Sequence, residues 1–198
     1  MDERDFAGEQ IDHYLLSSML GEGAAGSVYR AVDTTLQNSP TYAIKCVRKS
    51  SLSGRRRQQN AEIINHEAVS FCPHVLRLSD AFEDDHYFFL VLPLCETDMC
   101  RAIFGEAVYW RNDALIKKAF IELLDGVFAC HKRGVFHRDL KPENIMCNAQ
   151  GTKVKIGDFG LSTNRRLCRE GGCGTVPYTS PGQSLVAMHT AVGLTGWS

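Results

Sequence analysis

No stretch of this sequence stays apolar for the roughly 18 residues that a membrane-spanning helix needs. The opening segment, MDERDFAGEQ, is acidic and has no apolar run, so it does not read as a secretory signal. No membrane partner is expected, and the expected setting is the cytoplasm or the nucleus. A surplus of one charge is missing as well. Lysine plus arginine number 22 against 23 aspartate plus glutamate, a formal charge of −1, so the balance does not require nucleic acid as a partner. The eight cysteines are scattered, with no Cys-x-x-Cys pair and no Cys/His spacing suited to zinc. They are expected to be reduced and mostly packed. Internal repeats and low-complexity tracts are lacking too.

What is there is 198 residues, 44% hydrophobic and 23% charged, enough for one domain or two small lobes. The first half reads as strands. An apolar segment from Tyr14 runs into Gly21-Glu22-Gly23-Ala24-Ala25-Gly26, and Ser27 to Val32 alternates. A polar turn precedes a further strand, Tyr42 to Val47. Residues 48–60 carry five basic residues and read as a solvated loop and helix start, with a nuclear-import or phosphate patch as the alternative. Residues 61–70 predict a short helix with Glu62, His66 and Val69 on one face. Two more strands are expected around Glu83-Asp84-Asp85, and the apolar run Tyr87 to Leu92 reads as a buried one. The period then changes. Asn112 or Asp113 caps a long helix ending near Arg133, with Leu115, Ala119, Leu123, Val127 and Cys130 as its apolar stripe. A sheet lobe followed by a helical lobe, joined near Pro93 to Asp98, makes an α+β architecture.

Residues with chemistry sit between these elements. G-x-G-x-x-G alone is weak, because dinucleotide folds use it; there the glycines open a helix, whereas here a strand follows. A strand–loop–strand suits a flap that covers phosphates with backbone amides. Val28 would then pack on a planar base. Lys45 lies inside an apolar run, so its ammonium needs a buried anion. Glu62 on the short helix can supply one and a phosphate the other. Asp139 and Asn144 lie on the polar segment His137-Arg138-Asp139-Leu140-Lys141-Pro142-Glu143-Asn144. Their spacing puts a carboxylate near an attacking hydroxyl and an amide oxygen near a metal, and Lys141 can neutralise a phosphoryl group. Asp158, between glycines at the end of the strand Val154-Lys155-Ile156, suits Mg2+.

Taken together, G-x-G-x-x-G-x-V, A-I-K, H-R-D-L-K-P-E-N and D-F-G, in this order within residues 14–181, resemble the eukaryotic protein kinases. The resemblance implies a two-lobed fold. Its parts are an N-terminal extension at 1–13, a complete β-rich N-lobe at 14–92, a hinge at 93–98, an incomplete helical C-lobe at 99–181 and a non-kinase tail at 182–198. It implies ATP and Mg2+ as cofactors and a serine or threonine of a protein as acceptor. By position, Gly21, Gly23 and Gly26 cover the phosphates. Val28, Ala43 and Met146 enclose adenine, Leu20 lines the same site, and Leu92 is the gatekeeper. Lys45 holds the α- and β-phosphates and pairs with Glu62, with Glu67 as rival. Asp139 is the catalytic base, Lys141 steadies the γ-phosphate, and Asn144 and Asp158 bind Mg2+. His66, Leu78, His137 and Phe159 stack as a spine, and Thr175 bonds both Asp139 and Lys141. Leu161 after D-F-G goes with serine as the preferred acceptor. The phrases FFLVLPLC and ALIKKAFIELLDGVFACH resemble a fungal Ran-like branch of serine/threonine kinases.

The resemblance stops at Pro181. Gly182 stands where the family has glutamate, and residues 182–198 contain no Lys, Arg, Asp or Glu. This tail is expected to be translated intron, with a native short tail as the rival. A weakly active or inactive kinase is therefore expected, the alternative being a non-catalytic fragment that binds nucleotide or a partner.

Overall fold

A computed structural model describes residues 4–23, 26–165 and 173–180. The tail at 182–198 and the flap tip Ala24-Ala25 lie outside the described residues. A short strand β1 (Gln10–Ile11) leads into β2 (Tyr14–Gly23), which folds back as β3 (Gly26–Asp33) and again as β4 (Thr41–Arg48). After the helix α1 (Ser53–Val69) come β5 (Asp80–Glu83) and β6 (Tyr87–Pro93). The six strands form one antiparallel sheet in the order β1-β2-β3-β4-β6-β5.

Side chains alternate across a strand, and this sheet is covered on both sides. On β4, Ile44 and Cys46 join Tyr29, Phe89 and Val91 in an outer cluster. Lys45 and Val47 take the opposite face, where Val47 packs with Phe88, Leu90 and Ile63 of α1. β6 thus contributes to both clusters, which is why its sequence is continuously apolar.

The cover of the outer face corrects the sequence reading. Residues 1–13 are expected to lie outside the lobe, yet Phe6 is 1% exposed within it. Its ring meets Tyr29, Tyr87 and Phe89 edge-on at 5.9, 5.0 and 5.7 Å. The Tyr29 hydroxyl donates to Asp5 at 3.2 Å, and β1 pairs with β2. One aromatic side chain gave no periodicity from which to read this.

Helix α1 also starts at Ser53, well before the expected 61. Arg and Gln favour helix without supplying an apolar pattern. Gln59 accepts from the Ser50 amide at 3.0 Å and donates to the Arg48 carbonyl at 2.7 Å, tying the new helix to the end of β4. Arg56 lies over the Phe88 ring at 4.5 Å. Of the five basic residues, Arg55, Arg56 and Arg57 are therefore helical, while Arg48 ends β4 and Lys49 lies between the two.

The second lobe follows β7 (Thr97–Asp98) and a π-helical turn at Arg101–Gly105. Helix α2 (Asp113–Lys132) starts where Asn112 Oδ1 accepts the Leu115 amide at 3.1 Å. Its stripe packs as expected: Ala119 and Cys130 are buried, and Leu115, Leu123 and Val127 lie against the cluster of Val154, Ile156 and Phe159. The strands β8 (Ile145–Cys147) and β9 (Val154–Ile156) complete a small antiparallel sheet with β7. β9 joins the lobes, because Ile156 accepts from the Leu76 amide at 2.8 Å and donates to His74 at 2.9 Å.

Phe6→Ala is expected to destabilise the fold by about 3–5 kcal/mol, the usual cost of emptying an aromatic core site. Urea unfolding checks it through the midpoint, and a loss below about 1 kcal/mol would put Phe6 outside the core.

Candidate active site

Because β4 presents Ala43, Lys45 and Val47 on one face, the Lys45 ammonium enters the space between the sheet and α1. There it contacts Glu62 Oε1 at 2.7 Å and Asp158 Oδ1 at 2.7 Å. Lys45 and Glu62 are buried, whereas the Asp158 side chain keeps 40% of its surface exposed. Burial alone works against the Lys45 charge, but the two carboxylates outweigh it and its pKa lies above the ordinary lysine value. Asp158 shows the mirror case. Burial pushes its pKa up, but Lys45 pulls harder and the carboxyl ends below its ordinary value. Of the two candidate partners, Glu62 is the one on Lys45, and Glu67 is exposed.

The polar segment after α2 carries the second group. Asp139 Oδ1 accepts the Thr175 amide at 2.7 Å and the Thr175 hydroxyl at 2.8 Å. The same hydroxyl accepts from Lys141 Nζ at 2.9 Å, and Lys141 stands 3.4 Å from Asp139 Oδ2. Asn144, in the turn Pro142–Asn144, donates its amide to the Asp139 carbonyl at 2.9 Å and to Oδ2 at 3.2 Å. Burial raises the Asp139 pKa, but the Thr175 hydrogen bonds and Lys141 more than offset it, so the carboxylate is held ionised. The bond of Thr175 to both partners was expected from the resemblance.

Oxygen donors for a hard cation are left over in the right places. Lys45 and the Gly160 amide both address Asp158 Oδ1, which leaves Oδ2. Asn144 spends its nitrogen on Asp139, which leaves its Oδ1. These residues fit Mg2+.

The expected nucleotide-binding positions converge on the same face. Val28 is opposite Lys45 in the β3–β4 register, and Ala43 is opposite Leu92 in the β4–β6 register. Val28, Ala43, Leu92 and Met146 are half-buried, and Leu20 is 44% exposed on β2. At Gly21 and Gly23 an added Cβ would meet nothing, so neither glycine is demanded by crowding within the chain. Gly26 differs: at φ +121° a Cβ would overlap the Cys46 carbonyl oxygen.

Three of the expected spine residues stack directly: Phe159 stacks on His66 at 4.6 Å and meets His137 at 4.9 Å. Leu78 packs against the cluster of Val47, Phe88 and Leu90. His66 Nε2 reaches the Leu76 carbonyl at 2.6 Å, and His137 Nε2 reaches that of Gly157 at 2.8 Å. Burial pushes His66 down to about 4. Sequence reasoning missed Gln58 and Asn65, which hydrogen-bond the segment after Asp158. Their helical spacing with Glu62 was a readable signal once α1 is seen to start at Ser53.

Comparison with known proteins agrees with this geometry. The protein kinase domain family matches residues 14–190. The negative regulator of sexual conjugation and meiosis of Schizosaccharomyces pombe is 37% identical over 166 residues, covering 83% of this chain and 35% of that protein. CBL-interacting serine/threonine-protein kinase 17 of Arabidopsis thaliana is 33% identical over 188 residues, covering 88% and 41%. Serine/threonine-protein kinase ksp1 of S. pombe is 30% identical over 180 residues, covering 86% and 37%. The chain thus spans about two fifths or less of the length of these relatives.

Two stability measurements test the site. Lys45→Met is expected to cost roughly 3–5 kcal/mol, because it leaves the Glu62 carboxylate buried without its cation. Adding Glu62→Gln should recover part of that loss, and a stability-neutral Lys45→Met would contradict the ion pair. His66 supplies a pH dependence. Its folded pKa is depressed, so its contribution is complete above the ordinary 6.5 and is lost as pH falls toward about 4. That loss is on the order of 3 kcal/mol. His66→Phe should flatten this limb of the stability–pH curve, and an unchanged slope would contradict the assignment.

Proposed function

This chain belongs to the protein kinase family, and on that premise we propose that it binds ATP with Mg2+ and transfers the γ-phosphoryl group to a serine or threonine hydroxyl of a protein. The observation that carries the reading is the pairing of two preset carboxylate groups, Lys45–Glu62–Asp158 and Asp139–Thr175–Lys141, on one face of the molecule. Phosphoryl transfer needs little covalent help from a protein; it needs positioning and charge. Lys45 is pinned to meet the α- and β-phosphates, with Gly21, Gly23 and Gly26 above them. Mg2+, held by Asp158 and Asn144, would neutralise phosphate charge. Asp139, ionised well into acid, accepts a hydrogen bond from the incoming hydroxyl, orients it and takes its proton. Lys141, steered by Thr175, balances the charge of the moving phosphoryl group. Leu161 supports serine as the preferred acceptor, and the cytoplasm or nucleus is the proposed setting.

One observation favours a narrower reading, nucleotide binding without transfer. The outer face of α2 leaves Phe120, Leu124 and Phe128 at 58%, 51% and 63% exposure, so the helix that carries the Asp139 segment is packed on one side.

Radiolabelled γ-phosphate transfer to a basic peptide, run beside calorimetric ATP binding, separates the two. Asp139→Asn and Asp158→Ala are each expected to lower transfer by about a hundredfold or more. Thr175→Val should lower kcat by roughly tenfold with little change in the KM for ATP, since it touches Asp139 and Lys141 and not the nucleotide. Wild-type rates in folded Asp139→Asn would overturn the assignment, and ATP binding without turnover in the parent chain would select the narrower reading.

A further inference from the structure

The inner face of α1 is polar, where a packed helix is ordinarily apolar. Its buried residues are Glu62, Asn65, His66 and Val69. Glu62 and His66 belong to the ion pair and the ring stack. Asn65 is 3% exposed and donates from Nδ2 to Ser162 Oγ at 3.0 Å, and Ser162 is fully buried. Two turns earlier, Gln58 Nε2 donates to the Gly160 carbonyl at 3.0 Å and to that of Ser162 at 3.1 Å. Residues 58, 62 and 65 follow one another at helical spacing, so all three face the short segment after Asp158. The second lobe grips that segment from the other side. His137 bonds the Gly157 carbonyl at 2.8 Å, Arg138 Nε that of Leu161 at 2.6 Å, and Phe136 pairs with Thr163.

We infer that Gln58, Asn65 and Ser162 form a latch that fixes α1 to the segment following Asp158 and thereby sets both Glu62 and Asp158 on Lys45. These are positioning residues, and the inference rests on the nucleotide-site reading above. An apolar face tolerates small sliding, but a donor shared by two carbonyls does not. A shift of about 1 Å takes both bonds beyond hydrogen-bond length. It strands the buried Ser162 hydroxyl at the cost of an unsatisfied group, and it breaks the two part-buried bonds to the Gly160 and Ser162 carbonyls as well. Leu52 makes no side-chain cap, so the first turns are tied to the sheet by Gln59 on Ser50 and Arg48, while Gln58 and Asn65 hold the face toward the segment after Asp158.

The test uses the full chain and the variants Gln58→Ala/Asn65→Ala, Asn65→Ala, Ser162→Ala and Asn65→Ala/Ser162→Ala. Calorimetry reads ATP affinity with Mg2+ and with chelator, and hydrogen exchange reads the 158–165 amides. In Gln58→Ala/Asn65→Ala, the gain in ATP affinity on adding Mg2+ should shrink by about tenfold, while metal-free affinity stays within about twofold. The Ser162 amide, bonded to the Phe159 carbonyl, should exchange at least about tenfold faster, while Thr163, held by Phe136 of the second lobe, keeps its protection. Asn65→Ala and Ser162→Ala should be non-additive, since they remove two ends of one bond. Wild-type protection at Ser162 in the folded double variant overturns the latch. So does a parallel loss of metal-free and Mg2+-dependent affinity, which marks general loosening. If the parent chain binds no ATP, the functional reading fails, and the exchange at Ser162 alone decides the latch.

Discussion

One buried cation organises the catalytic face. Lys45 comes from the sheet, Glu62 from α1 and Asp158 from the segment after β9, separated from it by 17 and 113 residues in the chain. Lys45 and Glu62 are not stable where they lie without each other, because a buried charge without a partner costs several kcal/mol. The ion pair is therefore also the joint that makes sheet, helix and second lobe one unit. It is unbalanced, with one ammonium against two carboxylates. The surplus negative charge falls on Asp158, the member that faces solvent, which is where a divalent cation with its phosphates would be drawn.

Backbone strain sits beside both functional carboxylates. Arg138, next to Asp139, has φ +69°, and Asp158 itself has φ +53°. A non-glycine residue held there costs on the order of 1 kcal/mol and persists only where neighbours over-determine it. Here the two strained segments hold each other, His137 on the Gly157 carbonyl and Arg138 on that of Leu161. The turned Arg138 carbonyl has a further consequence. At Gly174, with φ +98°, a Cβ would lie 2.7 Å from that oxygen. Glycine is thus required there, and it delivers Thr175 onto Asp139.

How much of this was legible in the sequence depended on whether a constraint left a pattern. Lys45 was legible because a charge inside an apolar strand has to be neutralised, and Glu62 followed from helical spacing. The stripe of α2 was legible because five apolar residues repeat at one period. Phe6 was not, since a single aromatic inserted from outside the strands repeats nothing. The first two turns of α1 were not, because Arg55, Arg56, Arg57, Gln58 and Gln59 have helical propensity without an apolar face. Gln58 was lost with those turns, and Asn65, inside the predicted helix, was passed over because a polar residue on a packed face gives no apolar signal. Leu78 was placed on the spine by analogy, and its packing against Val47, Phe88 and Leu90 left no period in the sequence from which to read it.

The two halves of the site differ in how far they are set in advance. Every oxygen of Asp139 is engaged, by Thr175 on one side and by Lys141 and Asn144 on the other. These contacts fix the orientation of the carboxylate in advance, as electrostatic preorganisation requires, and an incoming hydroxyl would take the place of the longest of them, Lys141 at 3.4 Å. The glycine flap is the opposite case. Gly21 and Gly23 are paired in the β2–β3 hairpin but have open space on their side-chain sides, so no packed neighbour sets the height of the flap over a bound phosphate. Binding and chemistry are thus separable. Substitutions in the flap act first on nucleotide affinity, and substitutions around Asp139 act first on the rate of transfer. The Lys45 joint alone belongs to both, because it would touch the phosphates of the proposed ATP and it holds Asp158, the carboxylate proposed to take the metal.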